Sequence, residues 1–317
     1  MRRCRKSVVL AAALAALTLS TAAQASGPGT GILDRFLPVL VFHPGEEFRP
    51  GTVQAFVEDA SLEAATSPTT WVVVDPAPSA GHLPITSPPT WRLNQRDCFA
   101  GAPLGDLACY VAGGGSRGEP MVYARVVRES NVIVLQYWLF YYDNLYRYPF
   151  LPLGVIWQSH EGDWEVVNVI LSKRREPLAV GYSQHCSGET RAWTETPRVG
   201  SRPKVYVALG SHANYFAPGL HEFDRTCLPA QVIAFFLQAG LPLPTDLTAE
   251  GPAAVEASVL RVTEKRPAWI RFPGFWGELE YFNAPPPIGT VQFGTSPVGP
   301  AFHAVWQAPL ATLEGWR

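Results

Sequence analysis

The alternation of apolar and polar residues is clearest in the middle of the chain. NVIVLQYWLFYYD (131–143), DWEVVNVILS (163–172), PLAVGYSQH (177–185) and PKVYVALGSHA (203–213) are rich in β-branched and aromatic residues, and turn-forming residues bound each run. Four such runs at short spacing, with no helical pattern between them, predict an antiparallel sheet. The fold class that follows is mainly β: a two-sheet antiparallel β-sandwich with short helices and long decorated loops. PAQVIAFFLQAGL (229–241) predicts the clearest helix, because apolar positions recur at helical spacing and Gly240 ends it. LTAEGPAAVEASVL (247–260) predicts a second short helix, and APPPIG (284–289) a surface connection. Residues 144–158 read as a long, unusually aromatic loop between the first two strands. Neither a repeat nor a linker interrupts the pattern, so residues 26–317 read as a single domain.

The N-terminus carries a different signal. Arg2, Arg3, Arg5 and Lys6 precede a continuous small and apolar run from Ser7 to Ala22, and Ala23-Gln24-Ala25 supplies a small-x-small cleavage site. This layout predicts a secretory signal peptide over residues 1–25, cleaved near Ala25, rather than a retained membrane helix. The mature chain is then expected outside the cytoplasm, extracellular or periplasmic. Export changes how the cysteines are read. Cys4 leaves with the leader, and Cys98, Cys109, Cys186 and Cys227 remain to form two disulfides. Three connectivities are open; proximity favours Cys98–Cys109 with Cys186–Cys227. No C-x-x-C pair supports zinc. A hydrophobic content of 47% is ample for a core, while 16% charged residues and a net charge of −2 lack the basic face of a nucleic-acid binder. The chain is read as a monomer.

Against so low a charge content, SHEGDWE (159–165) stands out with three acids in five positions. Strand periodicity places Asp163, Glu165, Val167 and Val169 on one face and Trp164, Val166 and Ile170 on the other. Asp163 and Glu165 then emerge roughly 6–7 Å apart. His160 lies just before them, with Gly162 able to turn the imidazole inward, and Glu161 is read as facing solvent. Asp143 ends the preceding strand on the face of Tyr137, Leu139 and Tyr141, where the long loop can return it to the His160–Glu165 segment. Clustered carboxylates repel unless a proton or cation lies between them. Oxygen-rich ligation with one imidazole suits magnesium or calcium rather than manganese or zinc. A solvated turn is the alternative reading. His212, in GSHANYF (210–216), and His185, in SQHCSG, are candidate general bases, with structural histidines as the alternative. His43, Glu46 and Glu47, in HPGEEF, read as a strand-edge turn. No nucleophile elbow, P-loop or dinucleotide fingerprint is present.

YWLFYYD, SHEGDWE and ALGSHANYF together resemble two related groups. One is the necrosis-inducing (Nep1-like) phytotoxin family, with its GHRHDWE heptapeptide; the other is the vacuolar protein sorting-associated protein 62 family, with an H-x-G-D-W-E motif. The second is the closer resemblance, since PVLVFHPGEEFRP (38–50), YSQHCSGE (182–189), FWGELE (275–280) and SPVGPAFHAVW (296–306) also match. The phytotoxins place an Asp five residues after a strand Trp, as Asp143 follows Trp138. The resemblance implies a divalent-metal site at Asp143, His160, Asp163 and Glu165, and sets Ser211-His212-Ala213 beside a downstream S-x-H segment of that family. Ser159, Glu161 and Gly162 depart from the phytotoxin heptapeptide, so its recognition of plant sphingolipid head groups is not carried over.

Three functional expectations follow. The first is a secreted, toxin-like or effector-like metal-binding protein that recognises a glycan or lipid head group near the metal, with Tyr142, Tyr146, Tyr148 and Trp157 around it and peripheral membrane contact through the aromatic loop. The second is a metal-dependent hydrolase of phosphoesters or glycosides, with a metal-activated water and His212 or His185 as base. The third is a purely structural metal site. Whether the protein is an enzyme is left open by the residues alone.

Overall fold

The computed structural model describes residues 31–87, 90–112, 120–150, 154–228, 230–251, 257–286 and 289–316. The leader expected over residues 1–25 lies outside them. The chain is mainly β and sandwich-like, as the alternation predicts, with several mixed sheets and short helices.

Its centre is a hairpin of two 19-residue strands, Val132–Phe150 and Gly154–Ser172, paired antiparallel from Val132–Ser172 to Phe150–Gly154. The expected loop 144–158 is therefore corrected. The arms simply continue outward, and Tyr146 lies opposite Gln158 and Tyr148 opposite Ile156. Pro149 stands next to the end of its strand, where a proline is tolerated.

The second arm is buried almost continuously rather than alternately, because both of its faces are covered. On one face Phe140 and Trp164, partners across the ladder with ring centroids 4.5 Å apart, pack with Phe56 and Trp276. These belong to or flank a sheet ordered Phe275–Trp276, Trp91–Gln95, Ala60–Ser67, Thr70–Asp75. On the other face lies a sheet in which Val39–Phe42 pairs parallel with Arg202–Val207. The fourth predicted strand thus sits in another layer. Tyr137 there donates to the Leu33 carbonyl at 2.9 Å. Parallel pairs also join Ser258–Arg261 to Met121–Glu129 and Phe275–Trp276 to Trp91–Gln95.

The predicted helix forms over Ala230–Gln238, with Gly240 left-handed just beyond it. The expected helix at 247–260 does not survive at its flanks, where Thr245–Thr248 and Ser258–Arg261 are strands; residues 252–256 are outside the described set, as is part of 284–289. Both disulfides form as proximity favoured, Cys98–Cys109 and Cys186–Cys227. Among the described residues no helix is long and apolar enough to cross a membrane.

Candidate ligand-binding site

The second hairpin arm changes neighbours along its length. Residues 157–159 pair with Leu279–Ala284, and residues 167–171 with Pro177–Gln184. Between these stretches, the acidic motif has a strand on one side only. The missing neighbour leaves an opening, and His160, Asp163 and Glu165 of the motif face it.

Gly162 sets their directions. It is left-handed, φ +60°, and a Cβ there would lie 2.0 Å from the Trp276 carbonyl oxygen, so no side chain fits. Simple alternation fails at this residue. Glu161 is not solvent-facing as expected; it is fully buried, accepting from the amides of Gln95 and Glu278 at 3.1 Å each and from the Tyr110 hydroxyl at 3.1 Å. Burial, with Glu278 nearby, holds its carboxyl well above the ordinary range. His160 turns the other way and lines the opening. Its Nδ1 is 2.8 Å from the Gly162 carbonyl oxygen, which requires Nδ1–H and keeps Nε2 out of that bond.

Asp163 and Glu165 share a face, as alternation requires. Asp163 Oδ2 lies 3.0 Å from His212 Nδ1. Glu165 accepts from the Ser183 hydroxyl and, at 3.3 Å, from Asn214 Nδ2; burial and then Asp163 push its carboxyl well up. Asp143 lies across the ladder from Glu161 and so diagonally from Asp163. It is 0% exposed, and neither carboxylate oxygen has a hydrogen-bond partner. Burial raises it well above the usual carboxylate value; His212 and then the nearby Asn144 backbone amide oppose the rise, and Asp163 and Glu46 add to it.

His212 stacks flat on Tyr141, 3.9 Å between centroids, in a left-handed backbone conformation, φ +56°. Its Nε2 lies 3.5 Å from Glu46 Oε1. Burial opposes the imidazolium, but Glu46 and Asp163 outweigh it and raise the group to about 9. Glu46 is therefore a site residue and not merely part of a surface turn. Its other contacts are the amides of Phe48 at 2.8 Å and Gly210 at 2.7 Å. A second acid was also missed. Asp246, fully buried, accepts from His185 Nε2 at 2.7 Å, Ser211 Oγ at 2.5 Å and the Tyr215 hydroxyl at 2.6 Å. Its only sequence signal is one acid in the Pro-rich, otherwise uncharged stretch LPLPTDLT. His185 is left-handed too, φ +53°, and strain of this kind persists only where surrounding contacts enforce it.

The opening is a cavity of about 280 Å³. His160, Asp163, Glu165, His185 and Ser211 form its polar side, and Tyr146, Tyr148, Trp157, Phe223, Phe236, Phe282 and Phe293 its aromatic side. The Cys186–Cys227 disulfide ties His185 to the segment leading into Ala230–Gln238, whose Val232 and Phe236 complete the wall. Of the expected aromatic rim, Tyr142 alone points elsewhere, its hydroxyl donating to Gln95 and Asp59. His160, Asp163 and Glu165 line the cavity together, while Asp143 is not among the lining residues. Among the described residues no three His, Cys, Asp or Glu side chains are arranged to hold a metal ion.

No protein-family model matches the chain. Two proteins of Saccharomyces cerevisiae do resemble it. The putative vacuolar protein sorting-associated protein TDA6 is 26% identical over 210 residues, 56% of this chain and 42% of that protein. Vacuolar protein sorting-associated protein 62 is 24% identical over 247 residues, 67% of this chain and 50% of its own. The chain is similar to the protein 62 group. It spans about half the length of these curated relatives. Among solved structures, NLPPya in complex with glucosamine covers 89% of this chain and 88% of its own at 14% identity and a TM-score of 0.43. The non-toxic HaNLP3 protein covers 76% and 78% at 16% identity and a TM-score of 0.36. The expected resemblance to the protein 62 group is met by these two relatives.

Proposed function

We propose that the chain is an exported, toxin-like recognition protein whose cavity binds a glycan, or the sugar of a lipid head group presented at a membrane surface. The observation that carries this reading is the two-sided lining of one cavity. A sugar ring offers C–H faces to Tyr146, Tyr148 and Trp157, and hydroxyls that donate to Asp163, Glu165 and the Ser211 oxygen and accept from His185. Ligand sites of this kind join a large apolar wall to a few convergent polar groups. Two disulfides and the predicted leader support export.

A divalent cation, magnesium or calcium, belongs to the proposal, with Asp143, His160, Asp163 and Glu165 as its ligands. What supports it is the Asp143 carboxylate, buried with two unpartnered oxygens, in a set of donors dominated by oxygen. Bound there, the cation would polarise sugar hydroxyls and neutralise the crowded carboxylates. One observation favours a hydrolytic reading instead. His185, held through Nε2 by buried Asp246 at the cavity wall, is the arrangement of an oriented general acid–base group.

Calorimetric titration of a saccharide panel, alongside elemental analysis, tests the reading. Saturable binding that weakens at least tenfold in Asp163→Asn and in Tyr148→Leu, with a stoichiometric divalent cation lost in Asp143→Asn, is expected. Binding untouched by both cavity variants places the ligand elsewhere. Chelator-sensitive turnover of a phosphoester or glycoside that disappears in His185→Gln would favour the hydrolase.

A further inference from the structure

At the other end of the long hairpin lies a second cavity of about 510 Å³, lined by Ile32, Val126 and Ile133 and by three arginines, Arg128, Arg175 and Arg261. The guanidinium groups come from three separate elements. Arg261 pairs with Ala124 across the parallel ladder, and Ala124, Val126 and Arg128 share one face of their strand. Arg261 and Arg128 therefore leave the sheet on the same side. Arg175 sits in the turn after the second hairpin arm, at a left-handed φ of +66°.

That turn is held closed. The Ser172 amide donates to the Glu176 carbonyl at 2.8 Å, and the Arg175 amide to the Ser172 carbonyl at 2.8 Å. The Ser172 hydroxyl accepts from the amides of Arg174 at 3.2 Å and Glu176 at 3.1 Å. Arg175 is thus presented from a fixed backbone, which lowers the entropy lost when a ligand binds.

The arginines are exposed, and among the described residues none of the three guanidinium groups has an ion pair or a side-chain hydrogen bond. Several other arginines of the fold do have partners: Arg92 pairs with Glu63 at 2.6 Å, Arg125 with Glu264 at 2.8 Å, and Arg202 donates to the Leu37 carbonyl at 2.9 Å. No acid lines this cavity, although the chain as a whole carries a net charge of −2. Three like charges around one opening repel unless an anion lies between them, and the guanidinium fork matches the oxygens of a tetrahedral oxyanion.

We propose that this cavity is a second binding site, for a phosphate monoester, with Arg128, Arg175 and Arg261 on the phosphate and Ile32, Val126 and Ile133 against the uncharged remainder of the ligand. The ester has two possible sources, a free metabolite or a phospholipid head group, and the chemistry recognised is the same. From Ile133 to Asn144, where the first cavity begins, the strand runs about 35 Å at about 3.3 Å per residue, so no single small ligand spans both sites and this proposal stands apart from the glycan reading.

Calorimetry with inorganic phosphate and flotation with phosphatidylcholine vesicles, with and without phosphatidic acid, test it. The expected result is saturable binding in at least one arm, weakened roughly tenfold for each guanidinium removed, abolished in Arg128→Gln/Arg175→Gln/Arg261→Gln and reduced by salt. Binding to phosphate assigns a free ester as sufficient; binding only to vesicles containing phosphatidic acid assigns a lipid. Exposure of all three side chains lets the triple variant fold, which circular dichroism verifies. Asp163→Asn is expected to leave this binding unchanged, whatever it does to saccharides. Absence of saturable binding in both arms, or equal binding by the triple variant, overturns the proposal.

Discussion

Replacing Gly162 by alanine separates two contributions that a left-handed glycine usually combines. Gly162 and Gly200 have nearly the same backbone angle, φ +60° and +62°, yet a Cβ at Gly200 meets nothing within 4 Å while one at Gly162 meets the Trp276 carbonyl oxygen at 2.0 Å. The conformational penalty, about 1–2 kcal/mol, is therefore common to both substitutions. The clash is not. Its relief requires moving backbone on one side or the other, and overpacking of this kind costs roughly 1–3 kcal/mol. Gly200→Ala is expected to lose about 1–2 kcal/mol and Gly162→Ala about 2–5 kcal/mol, read as midpoint shifts in urea denaturation at constant m. Because the shift of Trp276 also moves Glu161 and His160, saccharide binding in Gly162→Ala should weaken even where the protein remains folded. Equal destabilisation by the two substitutions would refute the assignment of Gly162 as the residue that divides core-facing Glu161 from cavity-facing His160.

Three further outcomes are expected. His212 is raised to about 9 from the ordinary imidazole value of 6.5, so its raised pKa contributes stability that is fully present below pH 6.5 and lost as pH rises through 9. The contribution is about 3 kcal/mol at about 1.4 kcal/mol per unit, and denaturation in chelator at pH 6 and pH 10 should show it in the wild type and not in His212→Gln. Asp143→Asn is expected to be neutral or stabilising in chelator, because it removes an unpartnered buried carboxylate, and to lose its added stability when magnesium or calcium is supplied; clear destabilisation in chelator would show that the carboxylate has a protein partner. Opening Cys186–Cys227, which spans 41 residues, should cost about 4 kcal/mol against about 3 kcal/mol for Cys98–Cys109 across 11, and only the former should also weaken saccharide binding, since it pins the cavity wall.

Much of the fold was legible because its strands are long and β-rich. Asp163 and Glu165 fall on one face because the chain is regular from Asp163 onward. Glu161 was misread for a local reason: a left-handed glycine next to it reverses the direction that alternation assigns, and nothing in the string EGD reports φ. The hairpin extension was hidden by aromatic residues that cover a cavity rather than a core. Glu46 and Asp246 were illegible for a different reason. Each meets its histidine only through tertiary packing, Glu46 from a strand edge far upstream and Asp246 from a strand whose two-residue alternation is lost among prolines. Sequence reasoning finds acids that cluster along the chain, and misses those that cluster only in space.

The distance along the chain between Glu46 and its partners has a consequence for folding. Glu46 and Gly210 are 164 residues apart, and the strand before Glu46 is held by parallel pairing to Arg202–Val207. Closing so long a loop is entropically unfavourable until non-local contacts compensate, which slows such pairings relative to the local hairpin. The hairpin, with its acidic motif, is then assembled early, and the neutralising partner of His212 arrives late. An imidazole that titrates near 9 is therefore a kinetic reporter: its upward shift during refolding marks the moment when the amino-terminal strand docks.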